Sequence, residues 1–313
     1  MPDPTATVIV ATFYSALGIF TGTAIVRKFS GSFQPAPALP PPLPSVESLP
    51  TDDSDSPYHP PSEVELVPEP VRKGVPIGFY RPLDLLGLGL IFLMYFGLVV
   101  SSLHAVGASD GKLNHGSLIA SIAFQYITAA IVTGFVITRI RPIAWLGLRW
   151  ARWYWVFLIA PCAVVGMWIL FGTLQGSGYM DWIESLGVET VQDTVKLLQD
   201  SNDPMTLGLM AFAAMIAAPM CEEIVFRSYL YSVSKRFAGP WVAGLCSALV
   251  FGAAHGSLAA LLPLLIFGCV LAFLYEKTGS LWAPMRVHFC FNSATVLMQL
   301  AARYYHLPID PGP

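Results

Sequence analysis

Long apolar runs alternate with short polar connections along most of the chain. A helix needs about 20 apolar residues to cross the ~30 Å hydrocarbon layer of a bilayer. Eight runs approach or reach that length, near residues 6–26, 84–105, 117–138, 153–172, 205–221, 240–256, 258–275 and 281–301. Because lipid offers no partner for a free backbone N–H or C=O, such runs are expected to be helical. The pattern therefore predicts an all-α fold, a polytopic membrane bundle of about eight transmembrane helices.

The composition agrees with an integral, multi-pass membrane protein. Of the 313 residues, 55% are hydrophobic and only 12% are charged, so the apolar surface exceeds what a soluble core could hide. The net charge is -3 and no dense basic run is present, which argues against a nucleic-acid partner. The five cysteines lack paired metal-site spacing, which disfavours a disulfide framework or a zinc finger. The partner that the composition does indicate is the lipid bilayer.

Charged residues between the apolar runs predict the orientation. Four arginines, including Arg139 and Arg149, separate the third and fourth runs, and Lys235 and Arg236 separate the fifth and sixth. Cytoplasmic loops are rich in Lys and Arg, so both connections are predicted to be cytoplasmic. The net acidic connection 173–204 is then expected outside.

Changes in composition divide the chain into five predicted parts. About half of the 26 prolines fall in residues 29–82, together with an acidic cluster, so this stretch is predicted to be a disordered cytoplasmic linker. No basic segment precedes the first run, which is therefore expected to stay as an anchor. The predicted division is an anchor over 1–28, the linker over 29–82, two helices over 83–144, a helical domain over 145–302 and a tail over 303–313.

Three charged residues interrupt the end of the fifth apolar run. A charged side chain inside a membrane costs about 2.5–3.5 kcal/mol, so each one needs an explanation. Glu223 and Arg227 are four residues apart, which predicts an ion pair on one helical face. Glu222 points about 100° away from Glu223 and is left without that partner. The plainer interpretation, in which both glutamates mark a solvated helix end, stays open.

Two histidines and an asparagine occupy the last part of the chain. Phe251 and His255 are four residues apart near the end of the sixth run, and His288 and Asn292 are four apart within the eighth. Glu222 lies 17 residues before Gly239 and His255 lies 16 after it, so a hairpin turning there sets them level. His288, about ten residues into its helix, is expected ~15 Å deep. All four polar residues are thus predicted to meet in the cytoplasmic half of the membrane.

These residue types suit hydrolysis of a peptide bond. A carboxylate that faces a histidine in a low-dielectric pocket is a strong base for water, and a His–Asn pair offers donors to an oxyanion. The same residues allow a second chemistry, in which Glu222, His255 and His288 bind zinc and leave one position for water. A non-catalytic role, in which the polar residues hold the bundle together or bind a partner, also stays open.

The three spacings resemble the motifs of a known family. Glu222-Glu223-xxx-Arg227, Phe251-xxx-His255 and His288-xxx-Asn292 are similar to the three motifs of the CPBP (Abi) family, which contains type II CAAX prenyl proteases and bacteriocin-processing membrane enzymes. The likeness covers roughly residues 145–302, including Leu146-Gly147-Leu148-Arg149.

The resemblance implies a role for each matched residue. It makes Glu222 the essential glutamate, Glu223 and Arg227 its structural companions together with Phe251, and His255 a helper in water activation. His288 and Asn292 become oxyanion stabilisers.

The implied activity is an intramembrane endopeptidase of the CAAX prenyl protease type, with no cofactor favoured and zinc as the alternative. Its substrate would be a peptide or membrane protein, with prenylated C-termini among the candidates. The alternative within the same fold is a non-catalytic immunity or scaffold protein.

Overall fold

The computed structural model describes residues 3–31, 74–77, 79–106, 114–148, 152–188, 190–191 and 193–305. Within these ranges all regular secondary structure is helical, which confirms the predicted all-α fold. Most of the predicted linker, Arg149 and the last residues of the predicted tail lie outside the described residues.

The described residues form eleven helices, which we number in chain order. They are α1 (Pro4–Phe29), α2 (Asp84–Val106), α3 (His115–Ile137), α4 (Pro142–Trp145), α5 (Val156–Gly176), α6 (Tyr179–Ser185), α7 (Asp193–Asp200), α8 (Pro204–Ala238), α9 (Pro240–Ala253), α10 (Leu258–Thr278) and α11 (Trp282–Tyr304). A short 3₁₀ turn, Trp153–Trp155, leads into α5.

Each of the eight predicted apolar runs corresponds to a helix. Six helices, α1, α2, α3, α5, α8 and α10, are long and apolar enough to cross a membrane. The sixth run forms the 14-residue α9, and the eighth forms the 23-residue α11, whose polar residues lower its hydropathy. Helix α8, which corresponds to the fifth apolar run, continues well beyond the predicted end of that run at residue 221. The charged residues that follow, Glu223, Arg227 and Arg236, are buried against neighbouring helices.

The first helix is packed into the bundle rather than held beside it. It lies along α9 and the end of α8. Ile9 and Phe13 are fully buried, and the Phe13 ring meets Phe92 of α2 edge-on with the ring centroids 5.5 Å apart. The Cys246 thiol donates to the carbonyl of Ala16 at 3.4 Å. Helix α1 therefore contributes to the core of the protein.

Several loops converge at one end of the bundle. Residues 74–77 and 79–80, which we call the strap, lie across this end. Lys235 donates to the carbonyl of Val75 at 2.9 Å and to Glu276 at 2.7 Å. The Tyr80 hydroxyl donates to the carbonyl of Ser228 at 2.6 Å and accepts from the Trp145 indole at 2.8 Å. The strap thus fastens the start of the α2–α3 region to α8.

The opposite end of the bundle carries an exposed polar cap on α8. Asp203 accepts hydrogen bonds from the backbone N–H and hydroxyl of Thr206 at 2.9 and 2.7 Å. His115, at the start of α3, lies 2.5 Å from the same carboxylate. The Thr206 hydroxyl and then the His115 ring hold the pKa of Asp203 well below its usual range. The cap links the starts of α3 and α8.

Gly147 is required where the α4 turn meets the α10–α11 turn. Its φ is +57°, and a Cβ there would collide with the carbonyl oxygen of Gly279. We expect Gly147→Ala to destabilise the protein by about 1–3 kcal/mol, because alanine disfavours this φ and the backbone cannot yield easily. Thermal unfolding in detergent measures the change.

Gly166→Ala is the matched control for Gly147→Ala. Gly166 lies within α5, and a Cβ there would have no neighbour within 4 Å. Alanine in a helix interior should leave stability equal or slightly higher. Equal melting temperatures for both variants would show that the Gly147 turn is not tight.

Candidate active site

Helix α8 widens on both sides of Glu222. Two π-helical stretches, Ala213–Ala217 and Glu223–Tyr231, enclose a single α-helical turn. Such wide turns occur often at functional sites. Pro219 gives the first one a cause, because proline has no N–H and its ring clashes with the preceding turn. The Ala218 N–H bonds to the carbonyl of Ala213, the i to i+5 pattern of a π-helix.

The side chain of Asn292 donates the hydrogen bond that Pro219, which has no backbone N–H, cannot donate. In the π pattern the carbonyl of Ala214 would accept from residue 219, which has no N–H. The Nδ2 group of Asn292 donates to this carbonyl instead, at 2.8 Å. In the second wide turn the carbonyl of Phe226 accepts from Ser247 at 2.8 Å. Side chains from α11 and α9 therefore stabilise the register of the helix that carries both glutamates.

Glu223 and Arg227 form the ion pair that their spacing predicted. The distance from Arg227 Nη1 to Glu223 Oε1 is 3.1 Å, and both side chains are fully buried. The guanidinium also lies over the Phe251 ring, 4.4 Å from its centroid, and donates to the carbonyl of Gly268 at 3.3 Å. The pair therefore joins α8 to α9 and α10 in the middle of the bundle.

His288 lies between the two glutamates. Its Nδ1 is 2.9 Å from Glu223 Oε1, a hydrogen bond, and its Nε2 is 4.0 Å from Glu222 Oε2. The Phe251 and Phe267 rings meet the imidazole edge-on, with centroid distances of 5.9 and 5.4 Å. Two carboxylates, one histidine and one arginine thus form a continuous buried chain.

His255 lies in the turn that follows α9. Its Nδ1 is 2.8 Å from the carbonyl of Phe251, and its ring meets the Phe251 ring at 5.0 Å. In the part of the chain that the structure describes, no hydrogen bond or ion pair joins it to Glu222 or His288. The residue that approaches Glu222 is His288. The Phe251 ring contacts both histidines, so it connects the two halves of the site.

Glu222, His255 and His288, the three side chains of the zinc alternative, do not come together at one point in the described structure. Among the described residues, no three His, Cys, Asp or Glu side chains are arranged so that they could hold a metal ion. Glu222 and His288 lie close together, whereas His255 is turned towards Phe251. These residues do not fit the zinc site that their spacing allowed.

The Glu222–His288–Glu223–Arg227 chain is nearly closed with Glu222 as its outermost member, whereas His255 in the turn after α9 is exposed. The Glu222 side chain is 14% exposed and that of His288 is 4% exposed. Within the described residues, the Oε2 atoms of Glu222 and Glu223 are buried and have no hydrogen-bond partner. A shallow groove of about 410 Å³ opens between α3 and α8 beside Cys221 and Ile224. Neither glutamate is among the residues that line this groove.

Comparison with known proteins identifies the segment that carries this site. Residues 204–294 match the family model described as type II CAAX prenyl endopeptidase Rce1-like. A Bacillus subtilis (strain 168) protein named "Putative membrane peptidase YdiL" is 36% identical over 92 residues, or 29% of this chain and 38% of the relative. The chain therefore matches less than half of that relative's length. No solved structure matches.

The matched segment is shorter than the predicted 145–302, but it includes every site residue. It runs from the start of α8 into α11, and so contains Glu222, Glu223, Arg227, His255 and the His288–Asn292 pair. Over residues 204–294 the chain is similar to the type II CAAX prenyl endopeptidases, and the resemblance predicted from its three motifs is confirmed.

Proposed function

We propose that the chain is an intramembrane endopeptidase in which Glu222 activates a water molecule for attack on a peptide bond. The observation that carries this proposal is the buried arrangement of Glu222, His288, Glu223 and Arg227 inside the matched segment. Buried ionisable groups in a membrane are expensive, and a fully structural network would not need a carboxylate oxygen without a partner.

Glu223, held in place by Arg227, fixes the orientation of the His288 ring. Because Glu223 accepts from Nδ1, the Nε2 atom is directed towards Glu222. Arg227 balances the charge of that carboxylate. In the proposed reaction His288 donates from Nε2–H at the place where negative charge develops. This assignment agrees with the oxyanion role that the family resemblance implies.

The 4.0 Å separation of Glu222 and His288 suits a water-mediated reaction. It is too long for a hydrogen bond, but one water can bridge the two groups. Glu222 takes a proton from this water while its oxygen bonds to the scissile carbonyl carbon. The resulting oxyanion accepts from His288 and from the second N–H of Asn292, whose first is held by Ala214. Glu222 returns the proton to the amine as the C–N bond breaks.

His255 stays a predicted helper in water activation. Its contact with Phe251 places it on the same aromatic ring that packs against His288. A substrate backbone that enters between the two histidines would touch both.

The proposed reaction takes place in the cytoplasmic half of the membrane. Lys235, Arg139 and the strap lie at one end of the bundle, and basic residues favour the cytoplasmic side. Substrates would be peptides or membrane-protein segments, with prenylated C-termini as one class.

A reconstituted assay tests the proposed activity. The protein in vesicles is given a library of internally quenched peptides, with and without a prenyl group, and products are identified by mass spectrometry. We expect cleavage by the wild type, and strong loss in Glu222→Ala and His255→Ala. Equal turnover by all three would rule out the proposal. A biological effect that survives in a folded, abundant Glu222→Ala protein would instead support the non-catalytic immunity or scaffold role.

A further inference from the structure

Three consecutive carbonyl groups of α8 accept hydrogen bonds from side-chain hydroxyls. They follow one another from Phe226 to Ser228, inside the wide turn Glu223–Tyr231. The donors come from three parts of the chain: Ser247 of α9 at 2.8 Å, Ser232 of α8 itself at 3.1 Å and Tyr80 of the strap at 2.6 Å. A wide turn departs from the regular i to i+4 pairing of the backbone, so its carbonyls need donors from elsewhere.

The bond from Tyr80 takes the place of a backbone bond. In a regular α-helix the Ser232 N–H donates to the carbonyl of Ser228, four residues earlier. In α8 this N–H donates to the carbonyl of Tyr229 instead. Ser228 is fully buried, and its carbonyl accepts from the Tyr80 hydroxyl. Because a buried carbonyl needs a donor, the strap supplies the one that the wide turn has redirected.

The Tyr80 hydroxyl is aimed by contacts on the other side of the ring. The Trp145 indole, which can only donate, bonds to the phenol oxygen at 2.8 Å, so the phenol proton is left for Ser228. The Tyr80 ring also meets the Tyr229 ring edge-on, with the centroids 6.3 Å apart. Tyr80 is 2% exposed, so solvent does not compete for this bond.

The wide turn that receives Tyr80 also carries the ion pair of the site. It begins at Glu223, and Arg227 directly precedes Ser228. Glu223 bonds to Arg227 at 3.1 Å and to His288 Nδ1 at 2.9 Å. A change in the backbone at Ser228 therefore passes to the adjacent Arg227, from there to Glu223, and then to the imidazole that faces Glu222.

We propose that Tyr80 is a positioning residue for the active site: its hydroxyl holds the wide turn of α8 in the register in which Glu223 and Arg227 orient His288. This inference rests on the proposed function of the site. It assigns a part in the reaction to the strap, which lies outside the matched segment 204–294. The strap belongs to the end of the stretch 29–82, which the sequence predicted to be a linker.

Tyr80→Phe is the decisive variant, because it keeps the ring and removes the hydroxyl that donates to Ser228. We expect kcat of the reconstituted protein to fall about fivefold to a hundredfold, the rate equivalent of leaving one buried carbonyl without its donor. KM should change by less than about twofold, because the strap lies across the end of the bundle and the loss falls on the chemical step.

Trp145→Phe is the matched control. It removes the indole that donates to Tyr80 and leaves the bond from Tyr80 to Ser228 in place. Trp145 is 2% exposed, so the smaller ring leaves a cavity, and the melting temperature should fall at least as far as in Tyr80→Phe. Its kcat should stay within about twofold of the wild type, since the wide turn keeps its donor.

A second measurement reports on His288 without any peptide. Solid-state NMR of protein labelled with ¹⁵N-histidine, in bilayers, detects the Nδ1 atom that bonds to Glu223. The spectrum of His288→Gln assigns this signal among the six histidines. We expect the His288 Nδ1 signal to shift or split in Tyr80→Phe, because Glu223 is no longer held in one place, and to stay unchanged in Trp145→Phe.

The two measurements separate this inference from the proposed function. A lower kcat with unchanged KM and a changed His288 signal, in Tyr80→Phe alone, supports the positioning role. Wild-type kcat and signal in Tyr80→Phe overturn it, as does a lower kcat with an unchanged signal, or a loss of kcat in both variants that follows their melting temperatures. If the wild type cleaves no peptide, the proposed function fails and the His288 signal alone decides whether Tyr80 positions this ring.

Discussion

Replacing Glu222 by glutamine is expected to lower kcat by about 10²–10⁴-fold, the usual contribution of a general base. Glutamine has nearly the same size and can fill the same space, but it cannot take a proton from water. Folding should be preserved, since the carboxylate lost by the substitution has a buried oxygen without a partner. The measurements are kcat on the best peptide of the library and the melting temperature in detergent.

Glu184→Gln is the control for this experiment. Glu184 is exposed on α6, and its carboxylate accepts a hydrogen bond from the Thr190 hydroxyl at 3.0 Å. It should have wild-type activity. If Glu222→Gln keeps the wild-type rate within about threefold, Glu222 is not the base and the reaction scheme is wrong.

Of the substitutions considered, Glu223→Gln is expected to lower the free energy of unfolding the most. The change leaves the fully buried Arg227 without its counter-charge and removes the carboxylate that holds His288 Nδ1. Breaking one partner of a buried ion pair costs about 3–5 kcal/mol, most of it from the uncompensated charge. Thermal or denaturant unfolding in mild detergent measures the loss.

The double variant Glu223→Gln/Arg227→Met separates stability from chemistry. It removes both charges together, so most of the lost stability should return. Activity should stay low, because His288 still lacks the carboxylate that orients it. A Glu223→Gln protein as stable as the wild type would show that the ion pair contributes little to the fold.

Local patterns in the sequence predicted much of the bundle. Each apolar run is a helix because helix formation and burial in lipid depend on consecutive residues. The Glu223–Arg227 pair was predictable for the same reason, since residues four apart share a helical face. The end of α8 was harder to predict. Whether Ser228, Ser232 and Arg236 are solvated or buried depends on which helices pack around them.

The contacts between helices could not be predicted from spacing. Counting residues set Glu222 and His255 at one level, but the rotation of α11 decides that His288 is the histidine near Glu222. The same rotation brings His288 to Glu223, a bond with no signal along the chain. One signal was present and not used: Pro219 inside an apolar helix leaves a carbonyl without its donor, and that carbonyl binds Asn292.

Because α1 packs directly on α9 and on the end of α8, we expect the chain between residues 31 and 74 not to be needed for holding the two parts of the protein together. Arg27, near the end of α1, lies against Gly239, and Gly74 lies against Lys235 and Glu276 at the same end of the bundle. Both flanks of this segment are therefore fixed by non-covalent contacts of their own. A protein expressed as two separate polypeptides, divided within the proline-rich segment, should assemble from its fragments into the same bundle.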